Sequence, residues 1–564
     1  MKKKRFLAFL AAGAIATVGL TGCSGEKETQ GSASINLPVD DKGNPGPFGK
    51  YEETVTTEII QYINPTVPIP EGDSVTDNYY TRYIKDNINI DIRVKWSAVS
   101  TDYAQKLDLA IASNDLPDIM VVNEAEFRRM VKMDLLEDLT DYYDAYASDA
   151  IKDIIDATKG RALDMVSVDG RLYALPNVQS EADGYNVMWI RMDWLKELGL
   201  KVPRTMEELR TVAKAFVEHD MGGKDTIGIL APTVNHRLYN DFTSSTNNMN
   251  NLDGIFQAYR SWPGFWIEGE DGQAVYGSVT PETKEALGEL QSMYKEGILD
   301  AEIGVRKESD EAWKSGKAGI LFSPWWHGYN VKDCLDKDPQ ADWQAFAGPL
   351  ADDGRWYPKQ GGVGISYCVA RKGYEHPEVV FLLNNFLHRD ERKISEETDL
   401  NSGYYPGRVS IAPYDTSSVS VEMLHKRMNG EQALEYDSEQ YSLLEHDLET
   451  LEACLKPPYG DLSIEYWDMS PIDSGRVYSL LKGFGCVVDA KNEGIVDQTY
   501  SLIYSQTETM EEKWEALKKM EDAIFLKIII GELPLEAFDD FVQAWKTGGG
   551  DEITAEVQEI NAGN

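Results

Sequence analysis

Positive charge, cysteine and histidine are all scarce in this chain. Its 564 residues hold 55 Lys and Arg against 95 Asp and Glu, a formal net charge of −40 at pH 7. A polyanion this strong repels phosphates and anionic lipid headgroups, which excludes nucleic acid and the open membrane surface as partners. Taken alone, the charge favours neutral or cationic ligands. An acidic surface on an exported protein also fits solubility, so the charge does not by itself define a ligand. The five cysteines include no CxxC and no close spacing, so they form no metal site. One disulfide among Cys334, Cys368, Cys454 and Cys486, or a set of buried free thiols, fits equally. The seven histidines are scattered without ligand spacing, and HExxH, GxSxG, Walker and GxGxxG motifs are absent. Neither a metal nor a cofactor is expected. After the first twenty residues no run is long and apolar enough to span a bilayer. Ile524 to Ile530 comes nearest, and it is short and interrupted by Lys527.

With 42% hydrophobic and 10% aromatic residues, the chain has the composition of a folded protein, and its length predicts two to four domains. Met1 to Arg5 is basic, and Phe6 to Leu20 is an uncharged run of apolar and small residues that fits a signal-peptide core. The run ends in Leu20-Thr21-Gly22-Cys23-Ser24, which resembles a bacterial lipobox. Residues 1–22 are therefore expected to be cleaved and Cys23 to be acylated, so that the membrane is engaged only through a lipid anchor. Losing the basic leader makes the mature chain more acidic still. Residues 23–50, rich in Gly, Ser, Pro, Asn and charge, read as a flexible tether.

Beyond the tether, strand and helix signals alternate, as in an α/β protein. Ile88, Ile90, Ile92 and Val94 alternate with polar residues as in a half-buried strand, and Tyr103 to Ser113 has helical spacing. Asp118 to Val122, nearly all apolar, predicts a strand inside a mainly parallel sheet. Thr205 with Glu208 forms a capping box ahead of Leu209, Val212, Ala213 and Phe216. Thr280 and Pro281 open a helix that stops near Gly297. The last 150 residues are mostly helical in pattern, including Trp514 to Ile530.

Several phrases in order carry a family resemblance: KDNINIDIRVKW (85–96), QKLDLAIASNDLPDIM (105–120), DGRLYALP (169–176), MWIRMDWLKELGLKVPRTMEELRTVAKAF (188–216), SGKAGILFSPWW (315–326), HPEVVFLLNNF (376–386) and FLKIIIGELPLEAFDDFVQAWKTGGGDEITAEVQEIN (525–561). Together they resemble the extracellular solute-binding lipoproteins of bacterial carbohydrate ABC importers, the LplA-like group of family 1. The resemblance implies a two-lobed periplasmic-binding-protein-like fold of type II, with α/β lobes joined by a hinge and a helical C-terminal portion. Lobe I is then expected from residues 51–178 and 366–410, and lobe II from 179–365 and 411–564. The hinge crossings fall after Pro176, in the glycine-rich stretch 361–370, and near 405–420. The implied function is capture of an oligosaccharide outside the cytoplasm by a monomer and its delivery to the importer's permease subunits, without enzymatic activity. Many relatives carry a calcium loop after the KAF helix. Here that loop reads His219 to Asp225, with Asp220 and Asp225 its acidic residues, and lacks the alternating oxygen ligands that calcium requires, so no metal is assigned.

Sugar sites combine aromatic platforms with planar hydrogen-bonding side chains. Trp325, Trp326 and His327 follow an apolar strand, at whose end α/β folds place ligands. Trp262 and Trp266 flank a Pro-Gly loop, and Trp467, Tyr404 and Tyr405 are further aromatic candidates. Asn123 and Glu124 follow the strand ending at Val122, and Ser180 and Glu181 lie just past the first crossing. Arg408 is placed to receive an acidic sugar. Trp189 and Trp194 read as core. A glycoside hydrolase is the rival reading, since it too needs aromatics and carboxylates, and the abundance of carboxylates decides nothing because some pair lies at catalytic spacing by chance; a surface sensor or adhesin is the third.

Overall fold

The computed structural model describes residues 37–563, apart from 41, 65–68, 234–236, 244–248, 308, 439, 442, 458, 460, 461 and 472. The leader and Cys23 lie outside the described residues. Residues 37–40 and 42–50, expected to belong to the tether, are packed onto the first lobe. Val39 and Lys50 exchange backbone hydrogen bonds of 3.1 and 2.9 Å, and the Asn385 amide donates to the Pro47 carbonyl at 2.8 Å. The Phe48 ring meets Phe386 edge-on at 5.6 Å. One phenylalanine and one well-placed carbonyl hold this polar stretch against the body.

Two hydrophobic cores fill the first lobe, drawing on residues 51–178 and 363–414. Strands Val55–Ile63 and Ile90–Val99 pair in parallel, with Val55 opposite Ile90. The strand Ile119–Val122 does not lie within a parallel sheet. It pairs antiparallel with Tyr367–Ala370, which also pairs antiparallel with Leu175–Pro176. Its near-continuous apolar character reflects cover on both faces, which an antiparallel strand also needs when helices close both sides.

The second lobe is built on a four-stranded sheet in the order Trp343–Phe346, Asn186–Arg191, Ala318–Pro324, Ile227–Ile229, mostly antiparallel. All six residues of Asn186–Arg191 are buried. Side chains alternate across a strand, so Met188 and Ile190 enter one core and Val187 and Trp189 the other. Helices Pro281–Lys295 and Glu508–Ile529 cover the first face, and Thr416–Met428, Leu444–Cys454 and Gly485–Asn492 the second. The capping box is present: Thr205 Oγ1 accepts from the Glu208 amide at 3.2 Å, and Glu208 accepts from the Thr205 amide at 3.2 Å. Thr280 likewise caps the helix that begins at Pro281. Trp189 and Trp194 are core residues, and Cys334, Cys368, Cys454 and Cys486 are free thiols. No helix among the described residues is long and apolar enough to cross a membrane.

Candidate ligand-binding site

Three chain segments run between the lobes, and one buried side chain ties two of them. Asn177 Oδ1 accepts from the backbone amides of Ile365 and Ser366 at 2.6 and 2.9 Å, while the Asn177 amide donates to the Ser366 carbonyl. Val178 exchanges backbone hydrogen bonds with Ser410 and Ala412, and the Glu181 amide donates to the Tyr414 carbonyl at 2.8 Å. The glycines of 361–364 act here through close approach rather than through left-handed backbone. A Cβ on Gly364 would lie 2.4 Å from the Asn177 carbonyl oxygen.

Between the lobes, beside this hinge, lies a cavity of about 250 Å³ open to solvent. Lobe I contributes Glu124, Arg128, Arg161, Asp164 and Met165, and lobe II contributes Tyr500 to Tyr504 and Asn561. Glu124 stands at the first turn of the helix Glu124–Lys132, one turn before Arg128, and this spacing brings the two together. Arg128 Nε and Nη2 both donate to Glu124 Oε1, at 2.9 and 2.8 Å. Arg161 follows Gly160, whose φ of +92° turns the chain toward the cleft. Its guanidinium lies over the Tyr500 ring at 4.5 Å and donates from Nη2 to the Tyr414 hydroxyl at 3.0 Å. The network continues through Tyr414 to Tyr500 at 3.3 Å, Tyr500 to Gln498 at 3.2 Å and Gln498 to Tyr185 at 2.6 Å, passing from one lobe to the other. Burial pushes the phenols of Tyr500 and Tyr504 well above their ordinary values, so both are neutral hydrogen-bonding groups. A second cavity of about 20 Å³, lined by Ser180, Glu181, Asp183, Gln360 and Tyr414, sits behind the hinge and has room for a water.

Of the residues expected at the site, Glu124 lines the cleft and Ser180 and Glu181 line the small hinge cavity. Glu181 is occupied: Lys491 lies 2.7 Å from its carboxylate and Ser418 donates to it at 2.6 Å. The Ser180 hydroxyl caps the short turn that follows, accepting from the Ala182 amide. Asn123 is adjacent to the cleft, but its carboxamide oxygen caps the Glu124–Lys132 helix. The aromatic candidates lie in or against the cores of the lobes. Trp325 and His327 are buried in the second lobe, His327 between Trp189 and Trp313 with ring centroids at 6.0 and 4.4 Å. The C-terminal helices pack over this strand end, where a Cβ on Gly483 would lie 2.3 Å from the Trp325 carbonyl oxygen. Trp326 packs half-buried on the same core, as Trp262 does on the other, with its indole donating to the Tyr357 carbonyl. Trp266 is fully buried against Tyr276, and Trp467 packs on Tyr478. Tyr404 and Tyr405 lie in the core of the first lobe. Arg408 lies 3.9 Å from Glu391 and does not line the cleft. In the loop expected to lack a metal, Asp225 lies 3.7 Å from Lys317.

Two α/β lobes joined by three crossings around a polar and aromatic cleft define a hinged solute-binding protein. Over residues 73–391 the chain matches the bacterial extracellular solute-binding protein family, and it belongs to that family. It is 22% identical over 489 residues to the polygalacturonan/rhamnogalacturonan-binding protein YtcQ of Bacillus subtilis, spanning 84% of this chain and 85% of YtcQ. It is 25% identical over 259 residues to the fructooligosaccharide ABC transporter substrate-binding protein FusA of Streptococcus pneumoniae, spanning 43% of this chain and 45% of FusA. An extracellular solute-binding protein from Bifidobacterium longum subsp. infantis shares the fold, with a TM-score of 0.55 at 15% identity, over 93% of this chain and 99% of that one. These relatives are binding proteins rather than enzymes.

Proposed function

We propose that this protein captures an oligosaccharide between its two lobes and delivers it to the permease of an ABC importer, held at the membrane by acylation of Cys23. The observation that carries the reading is the Arg161–Tyr414–Tyr500–Gln498 network, which reaches the cleft through Arg161 and Tyr500 and joins groups from both lobes. A ligand closes two lobes only through greater affinity for the closed state, so contacts on both walls are what capture requires. Tyrosine faces and neutral hydroxyls suit the CH faces and hydroxyls of a sugar. YtcQ, a polygalacturonan/rhamnogalacturonan-binding protein, and FusA, a fructooligosaccharide substrate-binding protein, support the same ligand class. The hydrolase reading has less support, because Glu124, a cleft carboxylate, is engaged by Arg128 and both YtcQ and FusA are binding proteins.

A thermal-shift panel of oligosaccharides tests the proposal, since a ligand at a hundred times its Kd stabilises by about 2.7 kcal/mol. Stabilisation by at least one sugar with no shorter sugars released is expected. Release of shorter sugars on thin-layer analysis returns the hydrolase reading, and the absence of any shift removes saccharides as the ligand class.

A further inference from the structure

Arg161 stands apart among the described arginine side chains. Each of the others lies within 3.9 Å of a carboxylate oxygen. Arg161 has no such partner among the described residues, in a chain with 95 acidic side chains to supply one. Its Nε is buried without an acceptor, and its one side-chain hydrogen bond goes to a hydroxyl, that of Tyr414. A buried donor left unsatisfied is costly, more so on a charged group. The cost is relieved when an acceptor enters the cleft that Arg161 lines. Stacking on Tyr500 at 4.5 Å fixes the plane of the guanidinium, and a planar fork held in place matches a carboxylate.

We infer that the cleft takes an acidic saccharide, an oligouronide whose carboxylate docks on the Arg161 guanidinium. The inference rests on the reading of the cleft as a saccharide site. It reverses the expectation of a neutral or cationic ligand drawn from total charge. That expectation fails locally because exposed charges more than about 8 Å away are largely screened at physiological ionic strength, and the group nearest the ligand decides. Of the cleft carboxylates, Glu124 is engaged by Arg128 and Asp164 is exposed at the rim.

Calorimetric titration with short oligouronides, and with the same chains after reduction of their carboxyl groups to alcohols, tests this directly. The expected preference for the acids is about tenfold or more, and it shrinks as salt is raised. Arg161→Gln brings the acid-to-neutral ratio of Kd close to one, while Arg161→Lys, with the charge but not the fork, retains part of the preference. An arginine serving only as a latch between lobes moves both affinities together and leaves the ratio intact. An unchanged ratio in Arg161→Gln, or equal wild-type affinity for acids and reduced chains, overturns the inference and leaves the saccharide reading standing. Binding of neither set overturns the inference, and failure of the neutral panel as well removes the saccharide reading. Should Arg161→Gln not fold, the wild-type preference, its salt dependence and Arg161→Lys carry the same decision.

Discussion

Asn177 is the most informative single residue of the hinge. Its side chain is 3% exposed and caps two consecutive amides of the returning segment, Ile365 at 2.6 Å and Ser366 at 2.9 Å. Asn177→Ala removes the acceptor from both. The Ile365 residue is exposed, so water re-solvates its amide and the loss there is about 1 kcal/mol. Ser366 is half-buried, and its amide loses about 1–3 kcal/mol. The sum, about 2–4 kcal/mol, corresponds at about 2–4 °C per kcal/mol to a fall on the order of 10 °C in the melting of a lobe of this size. Asn177→Asp keeps both acceptor positions and should lose less. Because the residue joins two crossings, the alanine variant should also lower ligand affinity and, in small-angle scattering, show a larger radius of gyration with saturating ligand than the wild type. Calorimetry and scattering together check the argument. Wild-type melting and wild-type compaction in Asn177→Ala would refute it, by showing that the crossings are held without this side chain.

Other outcomes follow from the same structure. Arg237 reaches Asp241 at 2.9 Å, Glu521 at 2.9 Å and Asp522 at 2.8 Å, so Arg237→Met strands a fully buried Glu521 and should cost about 3–5 kcal/mol by denaturant titration. Burial holds the pKa of His388 and of His425 below the ordinary value of about 6.5, so both are neutral when folded while the unfolded chain takes up protons as pH falls below that value. The stability these histidines contribute is therefore present above about pH 6.5 and is lost progressively as pH falls below it, and the double change His388→Gln, His425→Gln should flatten the dependence of melting temperature on pH there. Tyr500→Ala removes the ring under Arg161 and should weaken binding about tenfold in a titration, while Tyr500→Phe, which keeps the ring, should lose less. Cys23→Ala should move the protein from the membrane fraction to the soluble fraction, and continued membrane association contradicts acylation at that residue.

Local signals were legible in the sequence, and the site mostly was not. The Thr205 and Thr280 caps depend on residues within one helical turn, and spacing reveals them. Two α/β lobes were foreseeable from the run of phrases rather than from any one. The direction of pairing at Ile119–Val122 was not, because its partner strand lies some 250 residues away and a both-faces-buried strand has the same composition in either sheet type. The tryptophans pack in or against the cores for a physical reason. A large apolar ring is most stable when covered, and in a chain with two substantial lobes most such rings find cover in a core. Composition showed that Trp325 followed a strand but not that residues 474–492 would fold over it. The cleft is assembled from Glu124, Arg128, Arg161, Asp164, Met165, Val363 and Tyr500 to Tyr504, residues with no common periodicity. One signal was available: Tyr500 and Tyr504 sit among Gln498, Ser501, Ser505 and Gln506, a mixture of aromatic and amide side chains suited to sugars.

Crystallisation with the oligosaccharide that stabilises the protein most tests the central claim most directly. The sugar should lie between the lobes, touching Arg161 and Arg128 on one wall and Tyr500 and Tyr504 on the other. A sugar bound on the outer surface of a single lobe, with this cleft empty, would contradict the account.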